Sequence, residues 1–221
     1  MMTTMKTIPL GCQSLDIFLS GGIESGIITK VYGEAGTGKT NILLQACREC
    51  VRRGYKTAYI DTEGVSVERL RQMCTPEEYT RVLDHILFFN PTSFKEQEKT
   101  IIKTCKLKSI HLIVIDTINM LYRVAVEEDK DGARRSFVRQ MTTLQVVARK
   151  QDLSVLIAEQ VYTDKNGEIK PFTFRDTEHM IKTVLKLERK GMGQRQATLM
   201  KHRYQPEGKT TLFRITSHGL E

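Results

Sequence analysis

At 221 residues, with 40 % hydrophobic and 27 % charged side chains, the chain can bury one domain comfortably but not two, and its balance is not that of a disordered segment. No run approaches the roughly 18 uninterrupted apolar residues of a membrane span, and the opening "MMTTMKTIPLGCQSLD" lacks the long apolar core of a secretory signal, so a cytoplasmic protein is expected. The formal charge of +8 is unevenly placed: residues 181–221 carry nine Lys/Arg against three Asp/Glu, which suits either a polyanion such as DNA or an ordinary solvated basic face.

Taken in chain order, "GIITKVY" (26–32) reads as a strand and "KTNILLQACRECVRRG" (39–54) as a helix ended by Gly54. That helix contains the lone C-x-x-C of Cys47 and Cys50. A zinc site needs about four ligands, and no second pair is suitably spaced, so the five cysteines read as packing residues. "KTAYIDTEG" (56–64) is a second strand ending in acidic residues. "SVERLRQM" and "PEEYTRVL" read as short helices, and "HILFFN" (85–90) as a strand. Ser93, with Glu96 three residues on, forms a capping box for the helix "SFKEQEKTIIKTCKL". "IHLIVIDTI" (110–118) is the most apolar run, as expected of a central strand covered on both faces. "DGARRSFVRQMTTLQVVARKQ" predicts a long amphipathic helix and "LSVLIAEQ" (153–160) another buried strand. Beyond Val161, the shorter runs "TVLKLERK", "ATLMKHRY" and "TTLFRIT", joined by "GMGQ" and "PEG", predict antiparallel hairpins. No repeat or linker divides the chain. The expectation is an α/β fold, a mostly parallel sheet with a C-terminal antiparallel β-meander, in a single domain spanning 1–221.

Gly33-Glu34-Ala35-Gly36-Thr37-Gly38-Lys39-Thr40 fits G-x-x-x-x-G-K-[ST] at every fixed position, between a predicted strand and a predicted helix. Such glycines let backbone N–H groups turn inward around phosphate oxygens at a helix N-terminus. Lys39 can reach the β- and γ-phosphates, and the Thr40 hydroxyl can ligate Mg²⁺. Asp116 ends the most apolar strand, and a carboxylate there faces the same crevice as the loop, where it can hold the magnesium through water. Hydrolysis also needs a group that orients or activates water. Asp61 and Glu63 end the second strand and Glu159 and Gln160 the strand at 153–160, and spacing alone leaves the choice among them open.

These pieces together resemble the RecA/RadA recombinase superfamily and, within it, the RadB family of short archaeal RadA paralogues. The resemblance rests on "TIPLGCQSLDIFLSGGIESGIITKVYGEAGTGKTN", "AYIDTEGVSVERL", "LIVIDTINMLYR" and "VLIAEQVYTDKNG". It covers almost the whole chain, strongly to about Gln160 and more weakly beyond. It implies a RecA-like P-loop ATPase core with ATP and Mg²⁺ as cofactors. The nucleotide contacts would come from Gly33, Glu34, Ala35, Gly36, Thr37, Gly38, Lys39, Thr40 and Asn41, and the metal contacts from Thr40 and Asp116. Glu63 would be the catalytic glutamate and Gln160 the γ-phosphate sensor. Two DNA-contacting loops would fall near 122–135 and 161–175, where Arg123, Arg134, Arg135, Lys165, Lys170 and Arg175 are available; each singly also reads as a solvated charge. The implied role is an accessory protein of homologous recombination and repair. It would bind single-stranded or branched DNA and ATP, hydrolyse ATP weakly to ADP and phosphate, and perform no strand exchange itself. It would act beside RadA and a Holliday junction resolvase.

The sequence also departs from that pattern. Only 32 residues precede Gly33, so the N-terminal helical DNA-binding domain is expected to be absent, as is the linker motif that docks one RadA subunit on the next. The first loop carries the acidic "VEEDKD". In the tail, Lys201 and Arg203 stand two apart on a predicted strand and would share a face. Some RecA-superfamily ATPases, including the KaiC-like group, use such a K-x-R pair across a subunit interface, so homo-oligomer formation stays open. A KaiC-like regulatory ATPase acting on protein partners, and a nucleotide-gated binding module without turnover, remain the alternative readings.

Overall fold

The computed structural model describes residues 7–163, 169–171 and 175–221. At its start, β1 (Thr7–Ile8) pairs antiparallel with β2 (Ile23–Glu24) around the short α1 (Gln13–Phe18). Then β3 (Ile28–Gly33) runs through the glycine-rich loop into α2 (Lys39–Arg52), followed by β4 (Lys56–Asp61), α3 (Val67–Gln72), α4 (Pro76–Asp84) and β5 (Ile86–Phe89). Next come α5 (Phe94–Thr104), β6 (Ile110–Asp116), α6 (Met120–Glu128), α7 (Lys130–Gln151) and β7 (Ser154–Glu159). A hairpin of β8 (Val161–Thr163) and β9 (Ile169–Pro171) precedes α8 (Arg175–Glu178). The chain closes with β10 (Ile181–Gly191), β11 (Gln194–Lys201), β12 (Thr210–Thr216) and β13 (Gly219–Leu220).

The main sheet has the order β13-β12-β11-β10-β3-β7-β6-β4-β5. From β10 to β5 every neighbour is parallel, and from β10 to β13 every neighbour is antiparallel. β10 therefore joins the meander to the parallel core by pairing with β3. Successive residues of a strand face opposite sides. Leu112 and Val114 enter one core with Leu43 and Leu44 of α2, while Ile113 and Ile115 enter the other with Phe137, Met141 and Leu144 of α7. Helices on both faces explain why β6 reads as an unbroken apolar run rather than an alternating one. Among the described residues, no helix is long and apolar enough to cross a membrane.

Two local expectations change. Residues 122–135 are helical rather than a loop. Tyr122 is buried between Phe94 and Phe137, with ring centroids at 5.4 and 5.1 Å, and this anchors α6 to its neighbours. Asp129 then starts α7 by accepting the Gly132 N–H at 2.9 Å, so the acidic segment is a helix junction. The other change is that β11 stops at Lys201, leaving Arg203 beyond the strand. The chain turns back only at Gly208 (φ +82°), whose N–H bonds the Leu199 carbonyl. Lys201 and Arg203 therefore do not share a strand face.

Candidate nucleotide site

Parallel strands deliver their C-terminal ends to one edge of the sheet, and here that edge carries Gly33, Asp61, Asp116 and Glu159. Tyr32 pairs with Glu159 and Asp61 with Asp116 in register, so the loops after four strands lie side by side. They enclose a cleft of about 460 Å³ lined by the phosphate loop, Asn41, Glu63, Gln160 and Val161.

The loop's shape follows from its residues. A Cβ on Gly33 would sit 2.4 Å from the Leu187 carbonyl of β10, so only glycine lets the meander close against the loop. Gly38 caps α2 at φ +101°, in the left-handed region that glycine enters without strain. The Thr37 hydroxyl donates to the Glu34 carbonyl at 2.8 Å. Lys39 Nζ donates to the Gly33 and Glu34 carbonyls at 2.8 and 3.0 Å. Burial pushes the Lys39 ammonium below its ordinary pKa, against the opposing pull of Glu63 and Asp116. Phosphate oxygens would compensate that buried charge.

Asp116 is 2 % exposed; its Oδ2 accepts the Tyr59 hydroxyl at 2.7 Å, and its buried Oδ1 has no hydrogen-bond partner among the described residues. Burial raises its pKa, partly offset by the hydroxyls of Tyr59 and Thr40. A lone carboxylate oxygen beside a threonine hydroxyl fits Mg²⁺, a hard cation that keeps several waters and takes few protein oxygens. Among the described residues, no group of three or more His, Cys, Asp and Glu side chains could hold a metal by itself.

Asp61 and Glu63, equivalent by spacing, have different surroundings. The Asp61 carboxylate accepts the backbone N–H groups of Glu63, Gly64 and Val65 at 3.0, 2.9 and 2.6 Å, and the Asn90 amide at 3.1 Å. It organises the turn that presents Glu63. Glu63 is exposed to the cleft, and its Oε1 accepts the Thr117 hydroxyl at 2.8 Å and the Gln160 amide at 2.6 Å. Glu159 is fully buried and pairs with Lys30 at 2.9 Å inside the sheet, which takes it out of the choice among water-orienting groups. Gln160 faces the cleft, with its backbone fixed by reciprocal bonds of 3.0 Å to the Asn119 side chain.

Four contributors escaped the sequence reading: Tyr59, Thr117, Asn119 and Arg69. Arg69 donates to Asn41 Oδ1 at 2.7 Å and to the Thr216 and Ser217 carbonyls, tying α3 to the start of α2 and to the end of β12. The Asn41 side-chain oxygen is thus engaged by Arg69. Thr117 and Asn119 had one legible signal, their place directly after Asp116.

The basic candidates are scattered. Arg123 is exposed on α6 and donates to Gln160 Oε1 at 3.0 Å. Arg134 and Arg135 are exposed on the first turns of α7. Lys170 lies in β9 and Arg175 opens α8, while Lys165 falls outside the described residues. Lys201 Nζ donates to the Glu178 carbonyl at 2.8 Å, and Arg203 pairs with Glu24 at 2.7 Å. At the other end of β11, Arg195 donates to the Gly36 carbonyl of the phosphate loop at 3.1 Å. Lys201 and Arg203 therefore sit away from this chain's own loop.

The Rad51 family model matches residues 2–221. The chain is 39 % identical over 225 residues to the "DNA repair and recombination protein RadB" of Methanococcoides burtonii, covering all of both chains. It is 37 % identical over 220 residues to the protein of the same name from Archaeoglobus fulgidus, covering 97 % of each. A solved structure described as "Crystal structure of the RadB recombinase" superposes with a TM-score of 0.85 at 36 % identity, covering 97 % of this chain and 98 % of that one.

Proposed function

The chain belongs to the Rad51 family and, within it, to the RadB proteins of DNA repair and recombination, and from that premise we propose that it is an ATP- and DNA-binding accessory protein that hydrolyses ATP slowly. The observation that carries this reading is the convergence of Lys39, Thr40, Glu63 and Gln160 on one cleft, with Asp116 buried behind the Thr40 hydroxyl. In it, the phosphate loop's N–H groups and Lys39 hold the triphosphate, and Thr40 and Asp116 hold Mg²⁺. Magnesium would supply charge neutralisation on the transferred phosphoryl group. Glu63 accepts a proton from the attacking water, and the Gln160 amide is placed to sense the γ-phosphate.

The DNA-facing candidates are Arg123, Arg134, Arg135, Lys165, Lys170 and Arg175, and the chain works in this reading beside the RadA recombinase and a junction-processing nuclease. It forms a single RecA-like domain. Lys201 and Arg203, remote from their own loop, are the residues this reading would offer to the nucleotide of a neighbouring copy, although they share no strand face and are held within the chain by the Glu178 carbonyl and Glu24. The test is a titration with single-stranded, duplex and branched DNA, with and without ATP-Mg, at two salt concentrations. Binding that weakens with salt and changes with nucleotide supports the reading. Absence of binding at low salt turns it toward an ATPase acting on protein partners.

A further inference from the structure

The Asp116 carboxylate has a partner deeper in the sheet. Tyr59 lies two residues before Asp61 on β4, so the two share a face of the strand. The parallel register sets Tyr59 beside Val114 and Asp61 beside Asp116. On that face the fully buried Tyr59 ring joins the core formed by Val114 and by Leu43 and Leu44 of α2. Phe88 of β5 packs against it with ring centroids 5.5 Å apart, so the ring has no room to swing away. A hydroxyl buried so deeply needs an acceptor, and Asp116 Oδ2 accepts it at 2.7 Å. One carboxylate oxygen is thereby committed to the sheet, while the buried Oδ1 has no hydrogen-bond partner among the described residues. Turning the carboxylate about its Cβ–Cγ bond would give up the hydroxyl and strand it in the core.

We propose that Tyr59 is a positioning residue for the divalent cation: its hydroxyl holds Asp116 Oδ2 and so leaves Oδ1 as the oxygen offered to the metal. The inference rests on the role given above to Thr40 and Asp116. Carboxylates that face metals are oriented by their own hydrogen-bond partners, and removing such a partner costs roughly ten- to a hundredfold in metal affinity. Here the cause is local. Without the hydroxyl, Oδ2 becomes a second buried oxygen lacking a donor, and nothing on the β4 side fixes which oxygen points where. Lys39 and the loop N–H groups are untouched by that loss, so the phosphates themselves should be held as before.

The test follows methylanthraniloyl-ATP binding to the full chain by fluorescence, titrated with Mg²⁺ and, separately, in EDTA. Wild type is compared with Tyr59→Phe, Asp116→Asn and the double variant. Tyr59→Phe keeps the ring and loses only the hydroxyl. It should raise the Mg²⁺ concentration for half-maximal binding about tenfold, while affinity in EDTA stays at the wild-type value. In the Asp116→Asn background the same change should add little, because the two residues act as one unit. An undiminished effect in that background overturns the proposal. So does a wild-type Mg²⁺ midpoint in Tyr59→Phe when Asp116→Asn raises it, and that result leaves the metal role of Asp116 standing. Equal losses with Mg²⁺ and in EDTA also overturn it, since they mark packing alone. If Asp116→Asn itself leaves the midpoint unmoved, the metal role of Asp116 falls and the positioning role falls with it.

Discussion

Replacing Asp61 separates the turn that presents Glu63 from Glu63 itself. The buried Asp61 carboxylate accepts three backbone N–H bonds and one from Asn90, and hydrogen bonds to a charged group are worth about 1.5–3 kcal/mol each in net terms. Glu63, Gly64 and Asn90 are exposed, so water can replace the lost acceptor for those three donors. Only the half-buried Val65 N–H is left badly served. Asp61→Ala should therefore cost about 3 kcal/mol, well short of the full sum, and Asp61→Asn about 2 kcal/mol, since one oxygen is retained. For a chain of this length each kcal/mol lowers Tm by roughly 2–4 °C, so the alanine variant should melt about 6–12 °C below wild type. Urea unfolding monitored by circular dichroism reads the stability. ATP affinity should stay near wild type while kcat falls, because the turn carrying Glu63 loses its anchor. An Asp61→Ala protein within about 0.5 kcal/mol of wild type would refute the assignment of Asp61 as the organiser of that turn.

Glu63→Gln should keep wild-type stability and ATP-Mg binding but lose hydrolysis, whereas Lys39→Ala should lose nucleotide binding in equilibrium dialysis; a Glu63→Gln protein hydrolysing at the wild-type rate would displace Glu63 as the base. Glu159→Gln should lower stability by about 3–5 kcal/mol by breaking the buried pair with Lys30, and the double change Lys30→Met/Glu159→Leu should recover much of that in the same urea assay. Burial, and then Glu78, pushes the half-buried Cys74 thiol up to about 11, while Cys12, Cys47, Cys50 and Cys105 are buried. The native protein should therefore expose one slowly reacting thiol to a disulfide reagent, with a rate that rises roughly tenfold from pH 8 to pH 9 as the thiolate fraction grows. Arg203→Ala should reduce ATPase activity only at protein concentrations where copies associate, and an unchanged concentration dependence would remove Lys201 and Arg203 from the site.

Most of the strands and long helices could be read from the chain because each is specified by neighbours in sequence. Apolar periodicity marked α2, α5 and α7, Ser93 marked the start of α5, and an unbroken apolar run marked β6. The phosphate loop was legible for the same reason: all its fixed positions lie within eight residues, and each has a local steric or hydrogen-bonding cause. The short elements β1, β2, β13 and α8 were not legible, since two to four residues carry no period and their pairing comes from distant segments. Helix α6 was missed because Tyr122 becomes an anchor only when Phe94 and Phe137 arrive on either side of it. The choices between Asp61 and Glu63, and between Glu159 and Gln160, depend on which way a side chain turns at the end of a strand. Contacts 54 and 97 residues apart in sequence draw Thr117 and Gln160 to Glu63, while Lys30 holds Glu159 inside the sheet. Sequence by itself determined that a G-x-x-x-x-G-K-T loop sits between a strand and a helix of a mostly parallel sheet, because that pattern is local. Only tertiary packing decided which carboxylate faces the cleft and which is spent on structure, because burial and long-range hydrogen bonding make otherwise equivalent residues different.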